Sequence, residues 1–265
     1  MPTLVFCHAN GFPAGTYRTL FERWRQAGWE VHAPAQLGHD PARAPRSGWS
    51  PLRDELIEFI ERTCAGRTPV ALVGHSMGGY LSLLVAARRP DLVSAVVMLD
   101  SPIVSGWRAR AFRLMKATGL IRRGGPGRVS ARRRERWASR EAARQHFASK
   151  PTFARWPAAV LDDYLDHGLV DEPAGGVKLA FAREVETAIY NTLPHHLEPL
   201  LDRQPLRCPV AYVAGRGSRE SRQLGLGLVR RLAGPRWRWI EGSHLFPMEH
   251  PDETAAAVLE LLQRR

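Results

Sequence analysis

Short apolar runs separated by amphipathic stretches are the feature that most narrows what this chain can become. Thr3 to Cys7, Pro69 to Val73, Leu92 to Leu99 and Cys208 to Ala214 are each rich in Val, Leu and Ala, and each is too short for a buried helix. Trp29 to Ala33 and Trp237 to Ile240 read as two further short strands. Between them, apolar residues recur at helical spacing. Tyr17, Leu20, Phe21 and Trp24 share one face of a helix over Thr16 to Gln26. Leu52, Leu56, Phe59 and Ile60 do the same over Pro51 to Cys64. Helices are also expected over Tyr80 to Arg88, Leu224 to Leu232 and Pro251 to Gln263, and a Gly- and Pro-rich loop over Pro34 to Ser50. Near-continuous apolar strands alternating with helices imply an α/β fold, a doubly wound, mostly parallel sheet covered on both faces.

The alternation breaks after Pro102. Residues 103–195 read as helical and Arg-rich, and the strand pattern resumes at Cys208. The expected organisation is therefore a core of residues 1–102 and 196–265 interrupted by a helical cap at 103–195. The charge follows the same division. The chain carries 38 basic and 26 acidic residues, a net charge of +12, and 35 of the basic residues are arginine. Between Ser105 and Arg155, 15 basic residues face only Glu135 and Glu141, so this stretch is +13 and the remainder is about −1. Such a patch attracts polyanions, but a charge run is more often a solvated helical face, so no nucleic-acid partner is expected.

Other classes are excluded by composition. With 44% apolar and 24% charged residues, the 265-residue chain has material for a sizeable core and is not a disordered one. No apolar run approaches the roughly 20 residues of a membrane span, and the opening MPTLVFCH has no signal-peptide pattern. Cys7, Cys64 and Cys208 are odd in number and widely spaced, which fits neither a disulfide framework nor a metal site. A reducing, cytoplasmic setting is the simplest expectation.

The chemistry-bearing motif is Gly74-His75-Ser76-Met77-Gly78, a G-x-S-x-G pattern between an apolar strand and a helix. A serine at the tip of a sharp strand-to-helix turn is exposed, and small neighbours let strand and helix approach closely. The helix start behind it aims a backbone N–H at a developing oxyanion.

Together with FCHANGFP (Phe6 to Pro13) and GSHLFPMEHP (Gly242 to Pro251), in that order along the chain, this motif resembles the α/β-hydrolases. The resemblance covers the first hundred residues and the last sixty or so, and the middle insertion falls where that family places its cap. It implies Ser76 as nucleophile, His244 as general base, and an oxyanion hole formed by the backbone N–H of Met77 and of Asn10, with Gly11 or Phe12 as other candidates for the second donor. His8, His75 and His250 are read as structural or packing residues.

The acid departs from the common pattern. Many relatives carry it in a G-x-x-D turn after the strand equivalent to 208–214, where this chain has Gly215-Arg216-Gly217-Ser218. The candidates are Asp100, at the end of the strand after the nucleophile helix, and Glu220. The chain also opens on the strand that usually follows a hairpin, so the sheet is expected to lack about two edge strands, leaving an edge that is covered or paired in a homodimer.

The expected function is a cofactor-free and metal-free serine hydrolase acting on a carboxylic ester or thioester, through an acyl-enzyme. Trp107, Phe112, Met115, Phe147, Phe153, Trp156, Tyr164 and Tyr190 are candidates for an apolar acyl pocket, or for packing of cap on core. The cap arginines suit an anionic substrate. The same triad would also serve C–C or amide hydrolysis or perhydrolysis, and a non-catalytic binding protein with a basic cap is the rival from another class.

Overall fold

The structure, a computed structural model, describes residues 1–122 and 125–263. Its chain order begins β1 (Thr3–Cys7), α1 (Arg18–Gln26), β2 (Glu30–His32), α2 (Ser50–Thr63), β3 (Val70–His75), α3 (Met77–Arg88) and β4 (Val93–Leu99). The stretch between β4 and the next core strand carries α4 (Gly106–Ala117), α5 (Pro126–Ser130), β5 (Arg136–Trp137), α6 (Arg140–Ala148), α7 (Ala158–Gly168), β6 (Leu169–Asp171), β7 (Val177–Leu179), α8 (Arg183–Asn191) and α9 (Leu197–Arg203). The core closes with β8 (Val210–Gly215), α10 (Arg219–Leu224), α11 (Gly227–Ala233), β9 (Trp237–Ile240), α12 (Phe246–Glu249) and α13 (Pro251–Gln263).

Six strands form one parallel sheet in the order β2-β1-β3-β4-β8-β9. Successive side chains on these strands point to opposite faces, and each face has its own core. Val5, Leu72, Val96, Met98 and Tyr212 pack with Leu52, Leu56 and Ile60 of α2, Leu81 and Leu84 of α3, and Leu228 of α11. Leu4, Phe6, Val73, Val97 and Val213 pack with Leu20, Phe21 and Trp24 of α1 and with Ala255, Val258 and Leu261 of α13. Trp24 is fully buried, and its indole N–H donates to the Ala255 carbonyl at 3.2 Å, fixing α1 against α13. Each fully buried large apolar side chain of this kind contributes roughly 1.5–3 kcal/mol.

The free edge at β2 is three residues long and charged. Glu30 receives His32 Nε2 at 2.9 Å and Arg67 Nε at 3.1 Å. A short, ionised edge discourages pairing with another strand.

Two local expectations need correction. The stretch 103–195 is not purely helical: β5, β7 and β6 make a small antiparallel sheet in that order. Its strands have two or three residues, too few for a periodicity to register, although Gly175 and Gly176, both at positive φ, mark the hairpin turn. The helix expected over Leu224 to Leu232 is α11, which starts at Gly227, and a further short helix that was not expected, α10, precedes it and ends before Gly225, where φ is +85°.

Candidate active site

The strand order decides where the site lies. The chain leaves β1 toward β2 on one side and leaves β3 toward β4 on the other, so a crevice opens beyond the carboxyl ends of β1 and β3. Ser76 directly follows β3, and the loop carrying Asn10 follows β1. The approach between them is close: a Cβ on Gly78 would lie 2.0 Å from the Cys7 carbonyl oxygen, and one on Gly74 would lie 2.2 Å from the Gly78 carbonyl carbon. Only glycine fits at either position.

Ser76 has φ 52° and ψ −111°, a conformation that costs an L-residue on the order of 1–3 kcal/mol. Its N–H is anchored to the Leu99 carbonyl at 2.9 Å. Its hydroxyl lies 3.0 Å from His244 Nε2, although 168 residues separate the two in the chain. His244 Nδ1 lies 2.7 Å from Asp100 Oδ2. An ionised carboxylate only accepts, so the imidazole proton sits on Nδ1 and Nε2 faces the serine as an acceptor.

Asp100 is fully buried at the end of β4, with φ 40°. Its Oδ1 accepts from the Gly215 N–H at 3.2 Å and the Ser221 hydroxyl at 2.9 Å, and its Oδ2 accepts from the Ser218 hydroxyl at 2.5 Å as well as from His244. Burial alone would raise its pKa, but the hydrogen bond and charge of His244 and the two serine hydroxyls hold it below the ordinary carboxylate value. For His244, burial disfavours the cation, and the Asp100 hydrogen bond and charge outweigh it, so its pKa is raised. Glu220, the other acid candidate, is exposed. Its carboxylate, Asp100 and His244 bring their ligand atoms within 4.8 Å of one another. The Nδ1 hydrogen bond nevertheless goes to Asp100.

A hydroxyl, an imidazole and a buried carboxylate so linked can pass a proton from oxygen to nitrogen while the carboxylate stabilises the resulting cation. Two backbone positions are expected to serve an oxyanion. Met77 opens α3, where a helix leaves its first N–H groups without intrahelical acceptors. Asn10 is buried in the Ala9–Phe12 turn, and its Nδ2 donates to the Glu186 carbonyl at 3.0 Å.

Several supporting residues escaped the sequence reading. His75 Nε2 donates to the His244 carbonyl at 2.9 Å, and its Nδ1 receives the Tyr17 hydroxyl at 2.7 Å. Tyr17 in turn accepts from the Ala9 N–H at 3.3 Å, so one buried chain joins the imidazole loop to the Asn10 loop. His8 is structural, as expected: it donates to Ala9 and accepts from the Leu37 N–H at 2.8 Å. Burial lowers His8 to about 4 and His75 to about 3. Glu249 accepts from the Ser243 N–H and hydroxyl, both at 2.7 Å, and pairs with Arg155 at 3.0 Å, bracing the turn that carries His244. His250 is exposed next to it. The links of His75 and Tyr17 join distant segments, so no single motif announces them, whereas Glu249 and Ser243 lie six residues apart within one motif.

The aromatic candidates divide. Phe147, Phe153, Trp156 and Tyr164 form one cluster that reaches Phe12 beside the Asn10 loop, and Tyr190 is partly buried. Trp107 and Met115 are exposed and Phe112 is partly buried, so Trp107 and Met115 do not join that packing. Most arginines of the later insertion are engaged by carboxylates: Arg133 with Glu186, Arg136 with Glu172, Arg140 with Asp171, Arg144 with Asp162 and Arg183 with Glu135. A Cβ on Gly11, next to Asn10, would meet Arg133 Nη1 at 3.3 Å, and Arg155 pairs with Glu249 in the His244 turn.

The alpha/beta hydrolase family model matches residues 4–257. The chain belongs to the alpha/beta hydrolase family. A monoglyceride lipase of Mus musculus is 34% identical over 108 residues, 38% of this chain and 35% of that protein. Lipase LipV of Mycobacterium tuberculosis is 48% identical over 85 residues, 30% of this chain and 31% of the lipase. The matched stretches thus span about a third of these relatives. Among solved structures, an E-2-(acetamidomethylene)succinate hydrolase superposes with a TM-score of 0.74 at 22% identity, covering 98% of this chain and 91% of that one. A thioesterase domain from a curacin biosynthetic pathway gives 0.74 at 17% identity, covering 97% and 91%. At these identities the superpositions establish a shared fold. The lipase activity is named for those relatives, of which the matched stretches cover about a third. Among the described residues, no helix is long and apolar enough to cross a membrane.

Proposed function

We propose that this protein is a serine hydrolase that cleaves a carboxylic ester or thioester through an acyl-enzyme. The observation that carries the reading is the continuous contact from Ser76 Oγ to His244 Nε2 at 3.0 Å and from His244 Nδ1 to Asp100 at 2.7 Å. Ser76 attacks the acyl carbon as His244 takes its proton. The Met77 and Asn10 backbone N–H groups stabilise the tetrahedral oxyanion. His244 then returns the proton to the leaving alcohol or thiol, and a water repeats the sequence to release the acid. Asp100 orients the ring and stabilises its cation, the Glu220 carboxylate remaining a bystander at the rim. No cofactor enters these steps.

Residues 103–195 act as a cap on the core of residues 1–102 and 196–265. Phe12 supports that role, because it joins the insertion's aromatic cluster to the loop that carries Asn10. The names of the lipase relatives support an acyl ester as substrate, and the thioesterase neighbour is compatible with a thioester. A cytoplasmic setting suits three cysteines that remain thiols, Cys7 and Cys64 among them buried.

A fluorophosphonate probe tests the reading. It adds its phosphonyl group to Ser76 in the intact protein and leaves Ser76→Ala unlabelled, while a panel of p-nitrophenyl and coenzyme A esters reports turnover. Labelling that persists in Ser76→Ala, or no turnover of any ester in a protein that labels, overturns it.

A further inference from the structure

Helix α4 is amphipathic in the reverse sense. Trp107, Ala111 and Leu114 stand at i, i+4 and i+7, which places them on one face. That face points outward, with Trp107 69% and Leu114 64% exposed, and exposed Met115 lies at its edge. The opposite side carries the residues that touch the body of the protein. Phe112 is half-buried there, and Lys116 Nζ donates to Ser47 Oγ at 2.8 Å and to the Thr192 and Leu193 carbonyls at 3.2 and 3.1 Å. A surface helix ordinarily turns its apolar stripe to the core and its charges to water. Here a lysine is turned in and a tryptophan is turned out.

Arginines frame the outward stripe. Arg108 and Arg110 lie on its two sides and Arg113 follows toward the back. None of the three pairs with a carboxylate among the described residues, in contrast to Arg133, Arg136, Arg140, Arg144 and Arg183 of the same insertion. Arg108 lies 4.8 Å from the Trp107 ring centroid. The helix is also tethered to the core. Gly106 N–H donates to Glu198 of α9 at 2.8 Å, and a Cβ on Gly225, which follows α10, would lie 3.3 Å from Arg108 Nη1.

We infer that α4 docks the protein on an anionic lipid surface, with Trp107 and Leu114 entering the interface and Arg108, Arg110 and Arg113 meeting the headgroups. A helix with an apolar face bordered by unpaired arginines binds such a surface by burying apolar area and by attraction to acidic lipid. Charge decides among the occupants. A second copy would set Arg108, Arg110 and Arg113, which have no carboxylate partner among the described residues, against their own counterparts, and a nucleic acid would meet a face whose outermost groups are aliphatic and aromatic.

The inference goes beyond the hydrolase reading and does not depend on it, so the experiment uses the full chain and its Ser76→Ala form in parallel. Both co-sediment with vesicles of phosphatidylcholine mixed with phosphatidylglycerol and remain in solution with phosphatidylcholine alone, and added salt weakens the association. At about fivefold per arginine, the triple variant R108S/R110S/R113S binds roughly a hundredfold more weakly. W107S/L114S loses about tenfold or more. Both variants keep the native circular dichroism and hydrolyse a soluble p-nitrophenyl ester as the parent does. Absence of vesicle binding overturns the inference, as does binding that survives either variant. Tighter binding to duplex DNA than to the mixed vesicles, or a dimer in sedimentation equilibrium that W107S/L114S dissociates, reassigns the face and overturns it equally.

Discussion

Ser218 donates a 2.5 Å hydrogen bond to Asp100 Oδ2, the same oxygen that engages His244. Ser218 stands at the turn position where many α/β-hydrolases carry their acid. In this chain the carboxylate comes from β4 instead, and the serine at the vacated position hydrogen-bonds to it. Asp100→Asn is therefore expected to lower kcat/KM for a p-nitrophenyl ester by about 10⁴-fold, by presenting the wrong partner to Nδ1. Ser218→Ala removes one hydrogen bond to a charge, a loss of about tenfold. Glu220→Gln stays within about threefold, since its rim charge acts through solvent. A large loss from Glu220→Gln with full activity in Asp100→Asn would reverse the assignment.

The pH profile carries a sign. His244 must be neutral to accept the Ser76 proton, and its pKa is raised by Asp100. Activity is expected to rise with pH through an inflection above the ordinary imidazole value of about 6.5. In Asp100→Asn the residual activity should show that inflection moved to lower pH. Initial rates of kcat/KM across the range measure both, and an unmoved inflection counts against the coupling.

Acid should also weaken the fold. His8 and His75 are buried and neutral, at about 4 and about 3, whereas in the unfolded chain both protonate near the usual value. Below pH 6.5 the unfolded state binds more protons, so stability falls with pH until the folded values are reached. Each group costs about 2 kcal/mol on going from pH 7 to pH 5. His244 works the other way: its raised folded pKa gives a stabilisation that is complete below the unfolded value and lost as pH rises through the folded one. Burial also lowers His39 and His196, so these groups together outweigh His244 and a net loss is expected, measurable by urea unfolding at the two pH values. Equal or greater stability at pH 5 would contradict it.

Gly78→Ala tests the close approach of β1 and α3. Its Cβ would meet the Cys7 carbonyl at 2.0 Å, where the contact is backbone and no side chain can yield. A destabilisation of about 3 kcal/mol or more is expected, at the upper end for overpacking. Gly66→Ala is the control for added bulk, because nothing lies within 4 Å of its Cβ position, and its cost comes only from the positive φ of 74°. Thermal melts of the two variants should separate clearly, with Gly78→Ala the lower.

Features that depend on neighbours in the chain are readable from residue order alone. Apolar runs such as Thr3 to Cys7 and Leu92 to Leu99 are strands because their short, continuous hydrophobicity suits a sheet buried on both faces. Ser76 and His244 were legible because each lies in a local turn motif whose glycines have a steric purpose. The tertiary structure alone decided what depends on convergence. Asp100 and Glu220 both lie near His244, and only the geometry of β4 and the turn after β8 gives Nδ1 to one of them. The links from Ala9 through Tyr17 and His75 to His244, and from Glu249 to Arg155 of the insertion, join segments that no periodicity connects. The arginines look alike in the sequence, yet some are engaged by carboxylates while those of α4 have no carboxylate partner among the described residues. Hydrophobic pattern and turn chemistry act over a few residues, whereas a hydrogen bond or ion pair is made by whichever group the completed fold brings within about 3 Å.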